Sequence, residues 1–492
     1  MALVTFSAQL HAHAVAAPDR AAVTCGSETL TRLQLETMSD RLARDLIARG
    51  VGRGDMVTIA LPNSVDWFVA QHALWRIGAI PQPVSARLPG KEMEAIVELA
   101  DSRLVLGAPT GSIPGRLSLP VGYAPAEDHA DVDLPDLDDV ALASPAWKAP
   151  TSGGSTGRPK LIVSADPAVI DDAADPILLI RANGCMVMPG PLYHNGPAVW
   201  ASRALLAGSH VVLLQRFDAE ATLAGIQEHH ADIVYLVPTM MKRIWRLPEA
   251  TRLSFDLSTL QTVWHLAEPC PVWLKQVWID WLGPDRIFEL YAGTEAQTLT
   301  VITGQEWLDH TGSVGRPTPG TVSITDDDGN EVGTDEMGEV WLRSPDGQAT
   351  YRYVGATARR RDGGWESLGD MGRLDDDGYL YLGDRASDMI LSGGTNIYPA
   401  EVEAAIQEHP LVRSVAVFGL PDDDRGNVVH AIVEADPNEV SEADLKSFVA
   451  ERLVSYKIPR KIEFTDEALR DDAGKVRRGV LRASRLRPTA GW

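Results

Sequence analysis

The segment best suited to chemistry is a run rich in glycine and hydroxyl side chains that ends in a lysine. It reads Thr151-Ser-Gly-Gly-Ser-Thr-Gly-Arg-Pro-Lys160. Glycines let the backbone approach a phosphate closely, and the N–H groups and hydroxyls of such a run can surround its oxygens. The run therefore predicts a phosphate-binding loop, whose members are Thr151, Ser152, Gly153, Gly154, Ser155, Thr156, Gly157 and Lys160.

This loop differs from the Walker loop, in which Gly-Lys-Ser/Thr closes the motif, because Pro159 precedes the lysine here. A flexible linker rich in Ser and Gly is the alternative interpretation. The loop lies between Trp147 and the apolar run Leu161-Ile-Val, and this position favours an ordered loop between structured elements. The phosphate interpretation is therefore preferred.

Two later segments carry side chains suited to a nucleotide. In Tyr291-Ala-Gly-Thr-Glu295 the tyrosine can stack on a base, Thr294 can bond to a phosphate or carboxylate oxygen, and Glu295 can bind Mg²⁺. In Ser367-Leu-Gly-Asp370 the aspartate can accept hydrogen bonds from both hydroxyls of a ribose. Each also has an ordinary interpretation, as a solvated carboxylate or a turn aspartate.

Taken in order, these segments resemble those of the adenylate-forming acyl-CoA synthetases, which are relatives of luciferases and peptide-synthetase adenylation domains. The resemblance covers essentially the whole chain. Similar segments are Ser152 to Lys160 (the phosphate loop), Tyr291 to Glu295 (the adenine and magnesium motif), Ser367 to Asp370 (the ribose turn), Arg385 to Glu403 (the hinge and coenzyme A loop) and Gly474 to Arg478 (the C-terminal lysine motif).

The resemblance implies an α/β fold in two domains. Residues 1–384 would form a large N-terminal domain of mixed and parallel sheets with a small β subdomain, and residues 385–492 a smaller, mobile α+β C-terminal domain. It implies an acid–CoA ligase that uses ATP, Mg²⁺ and coenzyme A in two steps. Lys475 would assist attack of a carboxylate on the α-phosphate, and a rotation of the C-terminal domain would then bring Gly393 and Gly394 beside the thiol tunnel.

The resemblance also implies a set of site residues. Lys475, His194 and Thr294 are expected to act in catalysis, and Glu295 to hold the metal ion. A lone histidine such as His194 is more often structural, and a solvated basic tail is the alternative for Lys475. The cofactor-binding set comprises the phosphate loop together with Tyr291, Ala292, Gly293, Thr294, Glu295, Asp370, Arg385, Gly393 and Gly394.

Several positions depart from the usual family pattern. They are Ala292 in place of glycine, Leu368 in place of threonine, Ser387 in place of Asp or Lys, Asn427 in place of Glu, Leu469 in place of proline, and the segment from His265 to Cys270, which lacks a glycine-alanine pair. They motivate an alternative, a transferase that performs only the thioester step on a preformed acyl-adenylate. Delivery to a carrier protein is disfavoured because a Ser-bearing carrier motif is absent. A non-catalytic nucleotide-binding homologue is the third alternative.

The acid is expected to be bulky and hydrophobic. The segments Pro191-Leu-Tyr-His-Asn-Gly-Pro197 and Thr151 to Lys160 look most like those of members acting on bile-acid, steroid or other polycyclic acids. No basic residue stands where it would recognise an amino acid or a second carboxylate.

The elements that must position these residues follow from hydrophobic periodicity. Leu30, Leu33, Leu35, Met38, Leu42 and Leu46 predict a helix that stops at Gly50, and a buried strand and a second helix (residues 66–78) follow. This alternation indicates a parallel or mixed sheet covered by helices. Short strands and Asp-Gly turns between residues 311 and 384 indicate a small β subdomain. Beyond Arg385, strands are predicted at residues 412–418 and 430–433 and helices at residues 400–408 and 442–453.

Composition limits the classes of function. The 492 residues carry a net charge of −23, which disfavours nucleic-acid binding, because that needs a positive footprint. No apolar run is long enough for a membrane helix, and a secretory signal is not expected. Three widely spaced cysteines fit a reducing cytoplasm. A homodimer is compatible with the sequence, which does not determine the oligomeric state.

Overall fold

The computed structural model describes residues 3–125, 129–153, 159–171, 178–385, 388–392, 395–422, 425–471 and 474–486. The predicted α/β class is confirmed, with a large N-terminal part of mixed sheets and helices and a smaller C-terminal α+β part. Among the described residues, no helix has the length and apolar character that crossing a membrane requires.

The first part of the chain builds a parallel four-stranded sheet of order β5-β4-β6-β7 and contributes two strands to a larger sheet. Its elements are β1 (Leu3–Thr5), α1 (Phe6–Ala16), β2 (Ala21–Cys25), β3 (Glu28–Thr31), α2 (Arg32–Ala48), β4 (Met56–Ile59), α3 (Val65–Arg76), β5 (Ile80–Pro83), α4 (Gly90–Leu99), β6 (Leu104–Leu106) and β7 (Leu117–Leu119).

The helix predicted from the periodic leucines begins later than the periodicity suggests. Leu30 belongs to β3, and α2 starts after Thr31, whose side chain accepts a hydrogen bond from the Gln34 N–H in a reciprocal capping box. Leu33 and Met38 face solvent, so they lie outside the buried stripe of the helix. Apolar spacing identified the helix correctly, but the cap decided where it starts.

The middle of the chain completes a nine-stranded sheet of order β17-β16-β15-β14-β13-β11-β12-β2-β3. Six neighbouring strands, from β15 to β2, are parallel, and the edges are antiparallel. Elements of this region are β8 (Thr151–Gly153), β9 (Pro159–Ser164), β10 (Val169–Asp171), β11 (Cys185–Met188), α5 (Asn195–Leu206), β12 (His210–Leu213), α6 (Ala219–Glu228), β13 (Ile233–Leu236), α7 (Pro238–Trp245), α8 (Glu249–Arg252), β14 (Thr262–Leu266), α9 (Val272–Leu282), β15 (Ile287–Ala292), β16 (Leu299–Thr303), α10 (Gly304–Asp309) and β17 (Arg316–Pro317).

The predicted small β subdomain follows. Its elements are β18 (Thr321–Thr325), β19 (Gly338–Arg343), β20 (Tyr351–Val354), β21 (Arg359–Arg361), β22 (Trp365–Leu374) and β23 (Leu380–Arg385). Five of these strands form one antiparallel sheet, whereas β20 leaves it to pair with β9, which also pairs with β8. Asp326 and Asp375 each accept a backbone hydrogen bond from a glycine three residues later, as predicted for hairpin turns.

The C-terminal part has its own buried core and a sheet of order β26-β27-β28. Its elements are β24 (Ile390–Ser392), β25 (Thr395–Ile397), α11 (Pro399–Gln407), β26 (Ser414–Asp422), β27 (Gly426–Glu434), α12 (Glu442–Ala450), β28 (Lys461–Thr465) and α13 (Arg478–Leu486). Strands β26 and β27 extend beyond the predicted apolar runs because they pair with each other along their whole length. A domain boundary near residue 384 stays a prediction.

Burial of an uncharged histidine makes the fold sensitive to acid. The ring of His72 in α3 is buried and stacks on Trp75, with 5.4 Å between centroids. Burial lowers the pKa of His72 to about 3. The unfolded chain therefore binds a proton that the folded chain rejects, and this contribution to stability is lost as pH falls from about 6.5 towards 3.

We expect His72→Phe to flatten this pH dependence. Between pH 6.5 and 5.5 the wild-type free energy of unfolding should fall by about 1 kcal/mol more than that of the variant. Urea unfolding at the two pH values measures the difference, with His11→Phe on the exposed face of α1 as the control. Equal changes in wild type and His72→Phe would contradict the assignment.

Candidate active site

The candidate site lies beyond the carboxyl ends of the parallel strands in the nine-stranded sheet. His194 follows β11, Glu268 follows β14, and the segment 291–295 spans the end of β15 and the turn after it. The loops at this edge of a parallel sheet lie side by side, which makes the edge the usual ligand site of open α/β sheets. Residues far apart in sequence therefore meet here.

One cluster joins the phosphate loop to the large sheet. Lys160, at the start of β9, places its Nζ 3.3 Å from Oε1 of Glu295, and the same Nζ lies 3.9 Å from the ring centroid of Tyr353 on β20. The Tyr353 hydroxyl donates a hydrogen bond to the same carboxylate. Burial, and then the hydrogen bond to Glu295, raise the pKa of Tyr353 well above its ordinary value, so the phenol stays a donor.

The backbone at Gly293 and Glu295 is held closely. Thr350 donates a hydrogen bond of 2.6 Å to the main-chain oxygen of Glu295. A Cβ atom added at Gly293 would lie 2.4 Å from Cδ1 of Leu368 and 2.8 Å from Oε2 of Glu295. A larger residue at position 293 would therefore require the Leu368 and Glu295 side chains to shift. Leu368, a departure noted in the sequence, occupies the space beside it.

A second cluster brings together residues predicted to bind the nucleoside. The Tyr291 hydroxyl donates a hydrogen bond of 2.7 Å to Oδ2 of Asp370, which lies on β22 of the small β subdomain. The main chain of Arg385 lies opposite Asp370 in the β22–β23 pairing. A ring and a carboxylate predicted to bind base and ribose are thus neighbours, and the bond between them orients both.

His194 occupies the turn that begins α5. Its ring lies against Tyr193, with 4.3 Å between centroids, and its Nε2 is buried with no hydrogen-bond partner among the described residues. Burial first, and the charge of Lys475 second, lower the pKa of His194 to about 3. The imidazole is therefore neutral and offers a hydrogen bond, and the predicted catalytic lysine is close enough to influence it.

Lys148 is a site residue that the sequence analysis missed. It lies half-buried over the ring of Trp147 and donates a hydrogen bond to the side-chain oxygen of Asn195, the residue after His194. Burial lowers the pKa of Lys148 to about 7, while the Glu295 charge acts in the opposite direction. A lysine directly before the phosphate loop carried no distinguishing sequence signal, because its burial depends on α5.

The predicted lysine motif forms a short turn at the same edge. Lys475 is exposed, and its N–H donates a hydrogen bond of 2.9 Å to the Asp471 side chain. Arg470 donates a hydrogen bond of 2.8 Å to the main-chain oxygen of Gly474, and Glu403 pairs with both Arg470 and Arg478. The sequence indicated Glu403 only as the last residue of the segment Arg385 to Glu403. In the structure its carboxylate binds both arginines and so holds this turn in place.

The remaining predicted residues divide into two groups. Thr151 accepts a hydrogen bond of 2.7 Å from Gln82, Ser152 pairs with Lys160 across β8 and β9, and Thr294 is partly exposed beside Glu295. Gly154, Ser155, Thr156, Gly157, Gly393 and Gly394 lie outside the described residues, as does Ser387. Residues that sequence reasoning did not single out are Tyr353, Thr350, Lys148, Glu268 and Arg470.

The donor set fits a magnesium ion held jointly with a nucleotide. Glu295 presents one carboxylate, whose Oε2 faces the glycine turn while Oε1 is occupied by Lys160 and Tyr353. Mg²⁺ is commonly held by one or two carboxylates, waters and the phosphates of a substrate. Glu295 is therefore the residue suited to hold it, and the charge of Mg²⁺ would offset that of a triphosphate.

Comparison with known families gives two matches. Residues 10–353 match the family described as AMP-binding enzyme, and residues 401–475 match the AMP-binding enzyme C-terminal domain. Long-chain-fatty-acid–CoA ligase FadD13 of Mycobacterium tuberculosis is 31% identical, covering 92% of this chain and 92% of its own. The 2-succinylbenzoate–CoA ligase of Geobacillus kaustophilus is 31% identical over 98% of each chain. Feruloyl-CoA synthase of an Amycolatopsis species is 31% identical, covering 94% and 96%.

Solved structures share the whole fold. The o-succinylbenzoate CoA synthetase MenE of Bacillus subtilis, in complex with the acyl-adenylate intermediate OSB-AMP, aligns over 100% of both chains with a TM-score of 0.79 and 25% identity. The same enzyme with ATP and magnesium ion aligns over 97% of this chain and 99% of its own, with a TM-score of 0.78 and 26% identity.

The cluster of Tyr291 and Asp370 predicts graded effects on AMP affinity. Asp370→Asn should raise the Kd for AMP by about ten- to a hundredfold, because a hydrogen bond to a charged group contributes about 1.5–3 kcal/mol. Tyr291→Phe, which keeps the ring but loses the orienting bond, should raise it by a smaller factor, about three- to tenfold. Isothermal titration calorimetry measures both, and Asp327→Asn in an exposed turn is the control. Unchanged affinity in Asp370→Asn would remove this residue from the site.

Proposed function

The chain belongs to the AMP-binding enzymes, and we propose that it is an AMP-forming acid–CoA ligase that activates a carboxylic acid as acyl-AMP and transfers the acyl group to coenzyme A. The observation that carries the proposal is the convergence of three pairs at one sheet edge. Lys160 pairs with Glu295, Tyr291 with Asp370, and Lys475 acts on His194. The curated relatives named as CoA ligases support the same reaction.

In the first step a carboxylate oxygen of the acid attacks the α-phosphorus of ATP, and the bond to pyrophosphate breaks. Negative charge develops on the phosphate oxygens, and fixed cations aimed at this charge lower the barrier most. Lys475 supplies such a cation from the C-terminal turn. Lys160 supplies another from the phosphate loop, where Tyr353 and Glu295 hold its ammonium group in place.

The neutral His194 borders the space for the acid. A buried, uncharged imidazole can hydrogen-bond a carboxylate or an acyl phosphate without adding charge, so the positive charge stays with Lys475. Lys148 fixes the side chain of Asn195 and thereby the turn that carries His194. Asp370 and Tyr291 hold the nucleoside, so AMP remains bound for the second step.

In the second step the thiol sulfur of coenzyme A attacks the activated carbonyl, and the bond to AMP breaks. Lys475 has no further role here, and the chain from about residue 385 would rotate to withdraw it and to present Gly393 and Gly394 beside the thiol. We place the hinge and the domain boundary between residues 384 and 388. A rotating domain lets one site serve two steps in sequence.

The acid is proposed to be bulky and hydrophobic. The helix after His194 carries the buried Trp200, whose ring contacts Tyr235 and Trp264 at centroid distances of 5.3 and 5.8 Å. These three rings belong to the buried core behind His194, and the proposal rests on the segments 191–197 and 151–160. A cytoplasmic reaction is part of the proposal, because ATP and coenzyme A are supplied there, and an assembly as a homodimer is compatible with it.

A second candidate function is supported by Leu368. This side chain lies close to Gly293, next to Ala292. The usual family pattern has threonine in place of Leu368 and glycine in place of Ala292. Crowding there would impair adenylation and leave a transferase that accepts only preformed acyl-adenylate. A non-catalytic nucleotide-binding protein would not require Lys160, Glu295, Asp370 and Lys475 together.

The deciding experiment is mass spectrometry of acyl-CoA products. A panel of fatty, aromatic and polycyclic acids is supplied with Mg·ATP and coenzyme A, and the matching synthetic acyl-adenylates with coenzyme A alone. We expect thioester from free acid, with the highest yield from bulky hydrophobic members. Thioester formed only from preformed acyl-adenylate would make this a one-step acyltransferase.

Lys475→Ala should separate the two half-reactions. Loss of one group that stabilises developing charge costs about 10²- to 10³-fold in rate, so pyrophosphate release from acid and ATP should fall by that factor. Thioester formation from preformed acyl-adenylate should change less than twofold. Lys461→Ala, an exposed lysine on β28, is the control. Equal loss in both half-reactions would argue that Lys475 has a structural role only.

A further inference from the structure

Glu268 is a buried carboxylate at the junction of the N-terminal and C-terminal parts. It lies after β14, in the segment that lacks the glycine-alanine pair of the family pattern. Its Oε2 accepts a hydrogen bond of 2.8 Å from Thr239 on α7 and lies 3.6 Å from Nη1 of Arg470. Its Oε1 has no hydrogen-bond partner among the described residues. Glu268 therefore reaches from the sheet edge to the C-terminal part.

Arg470 connects Glu268 to the turn that carries Lys475. The same Nη1 donates a hydrogen bond of 2.8 Å to the main-chain oxygen of Gly474, the residue before Lys475. Its Nη2 lies 3.3 Å from the Glu403 carboxylate, which also accepts a hydrogen bond of 2.8 Å from the Val417 N–H. Arg470 is thus fixed within the C-terminal part, and its contact with Glu268 is the one that crosses to the sheet edge.

The turn before Lys475 also packs directly on this carboxylate. A Cβ atom at Gly474, where φ is +79°, would lie 1.3 Å from Oε1 of Glu268. Glycine is the residue that suits both the positive φ and this contact. An ion pair and a packing contact therefore fix the position of the Lys475 turn relative to the sheet edge.

We propose that Glu268 is a positioning residue that holds the Lys475 turn in the site for adenylation and releases it for the thioester step. The inference rests on the proposed two-step function. During rotation of the C-terminal part, the bonds of Arg470 to Glu403 and Gly474 travel with it, whereas Glu268 stays with Thr239. The contacts of Glu268 with Arg470 and with the Gly474 turn must break, so they bias the equilibrium between the two orientations.

The charges around Glu268 make this contact sensitive to pH. Arg470 and the hydrogen bond from Thr239 favour the ionised carboxylate, whereas Asp471 and Glu403 oppose it. Tyr235 and, on α7, Lys242 also lie within electrostatic reach, and burial lowers the pKa of Lys242 to about 6. Burial is the largest effect and raises the pKa of Glu268 to about 7. The ion pair is complete above this pH and is lost as the carboxylate takes up a proton below it.

Glu268→Gln tests the proposal, because glutamine keeps the shape and removes the charge. We expect single-turnover pyrophosphate release from acid and ATP to fall about tenfold at pH 8. Thioester formation from preformed acyl-adenylate should be unchanged or up to about threefold faster. The fall in adenylation between pH 8 and 6 should be smaller in Glu268→Gln than in wild type. Glu268→Asp, which keeps the charge, should recover part of the lost rate.

Two controls separate positioning from general damage. Asp45→Asn removes a buried carboxylate that pairs with Arg49 inside the N-terminal part, and it should alter neither half-reaction selectively. An unchanged Kd for AMP in Glu268→Gln shows that the nucleoside site is intact. Equal loss in both half-reactions, or no loss in either, would overturn the proposal.

A distance measurement tests Glu268 independently of any acid. Spin labels are placed at the exposed positions Leu253 and Val454, one in each part, with and without Glu268→Gln. We expect a broader distance distribution in the variant, because one restraint between the parts is lost. Identical distributions would overturn the positioning role. If no acid is turned over by the wild type, the proposed function fails, and this measurement still decides the role of Glu268.

Discussion

The site depends on one ion pair that joins two sheets. Lys160 begins a strand of the three-stranded sheet, and Glu295 follows a strand of the nine-stranded sheet. Tyr353, from the same three-stranded sheet, donates to the same carboxylate. Because the carboxylate is buried, each partner that neutralises or hydrogen-bonds it offsets part of its desolvation, and removing one leaves a buried charge poorly compensated. The start of β9 is thereby held against the sheet edge where Tyr291 lies.

The acidity of the chain gives this local arrangement its importance. A protein with a net charge of −23 repels polyanionic substrates at long range, so binding must come from short-range groups that solvent screens weakly. The cations at the sheet edge accordingly lie beside side chains that hold or orient them. Lys148 is half-buried beside Asn195, Lys160 lies over the Tyr353 ring, and Lys475 lies near a neutral His194. Because His194 is neutral, it does not add a second positive charge beside Lys475.

The lysine turn is bonded firmly into the C-terminal part. Glu403 accepts hydrogen bonds from Arg470, Arg478 and the Val417 N–H, and these bonds join the turn to β26 and α11. Contacts to the N-terminal part among the described residues include the exposed 3.4 Å hydrogen bond from Arg246 to the main-chain oxygen of His409 and the buried 3.6 Å pair of Arg470 and Glu268. Strong internal bonds and weaker external ones are what a domain needs in order to rotate without unfolding.

The sequence alone determined the fold class and most of the elements, and it predicted a phosphate loop. These properties are local: apolar periodicity specifies helices and strands, and a glycine-rich run with hydroxyls has few structural uses. It also indicated Tyr291, Glu295 and Asp370, because their short segments follow one another along the chain in the order of the family pattern. The exact start of α2 was not determined by the leucine spacing, since a cap at Thr31 decided it.

The tertiary structure alone decided which of these residues meet. Lys160 and Glu295 are 135 positions apart in the chain, and only the pairing of β9 with β20 brings Tyr353 to the same carboxylate. Glu268 in the sequence was an unexplained departure from a pattern, and Arg470 an ordinary arginine. Their contact exists because parallel strands end at a common edge and the C-terminal part packs over it. Burial then raises the pKa of the Glu268 carboxylate. Burial is a property of the packed chain that no local sequence pattern contains.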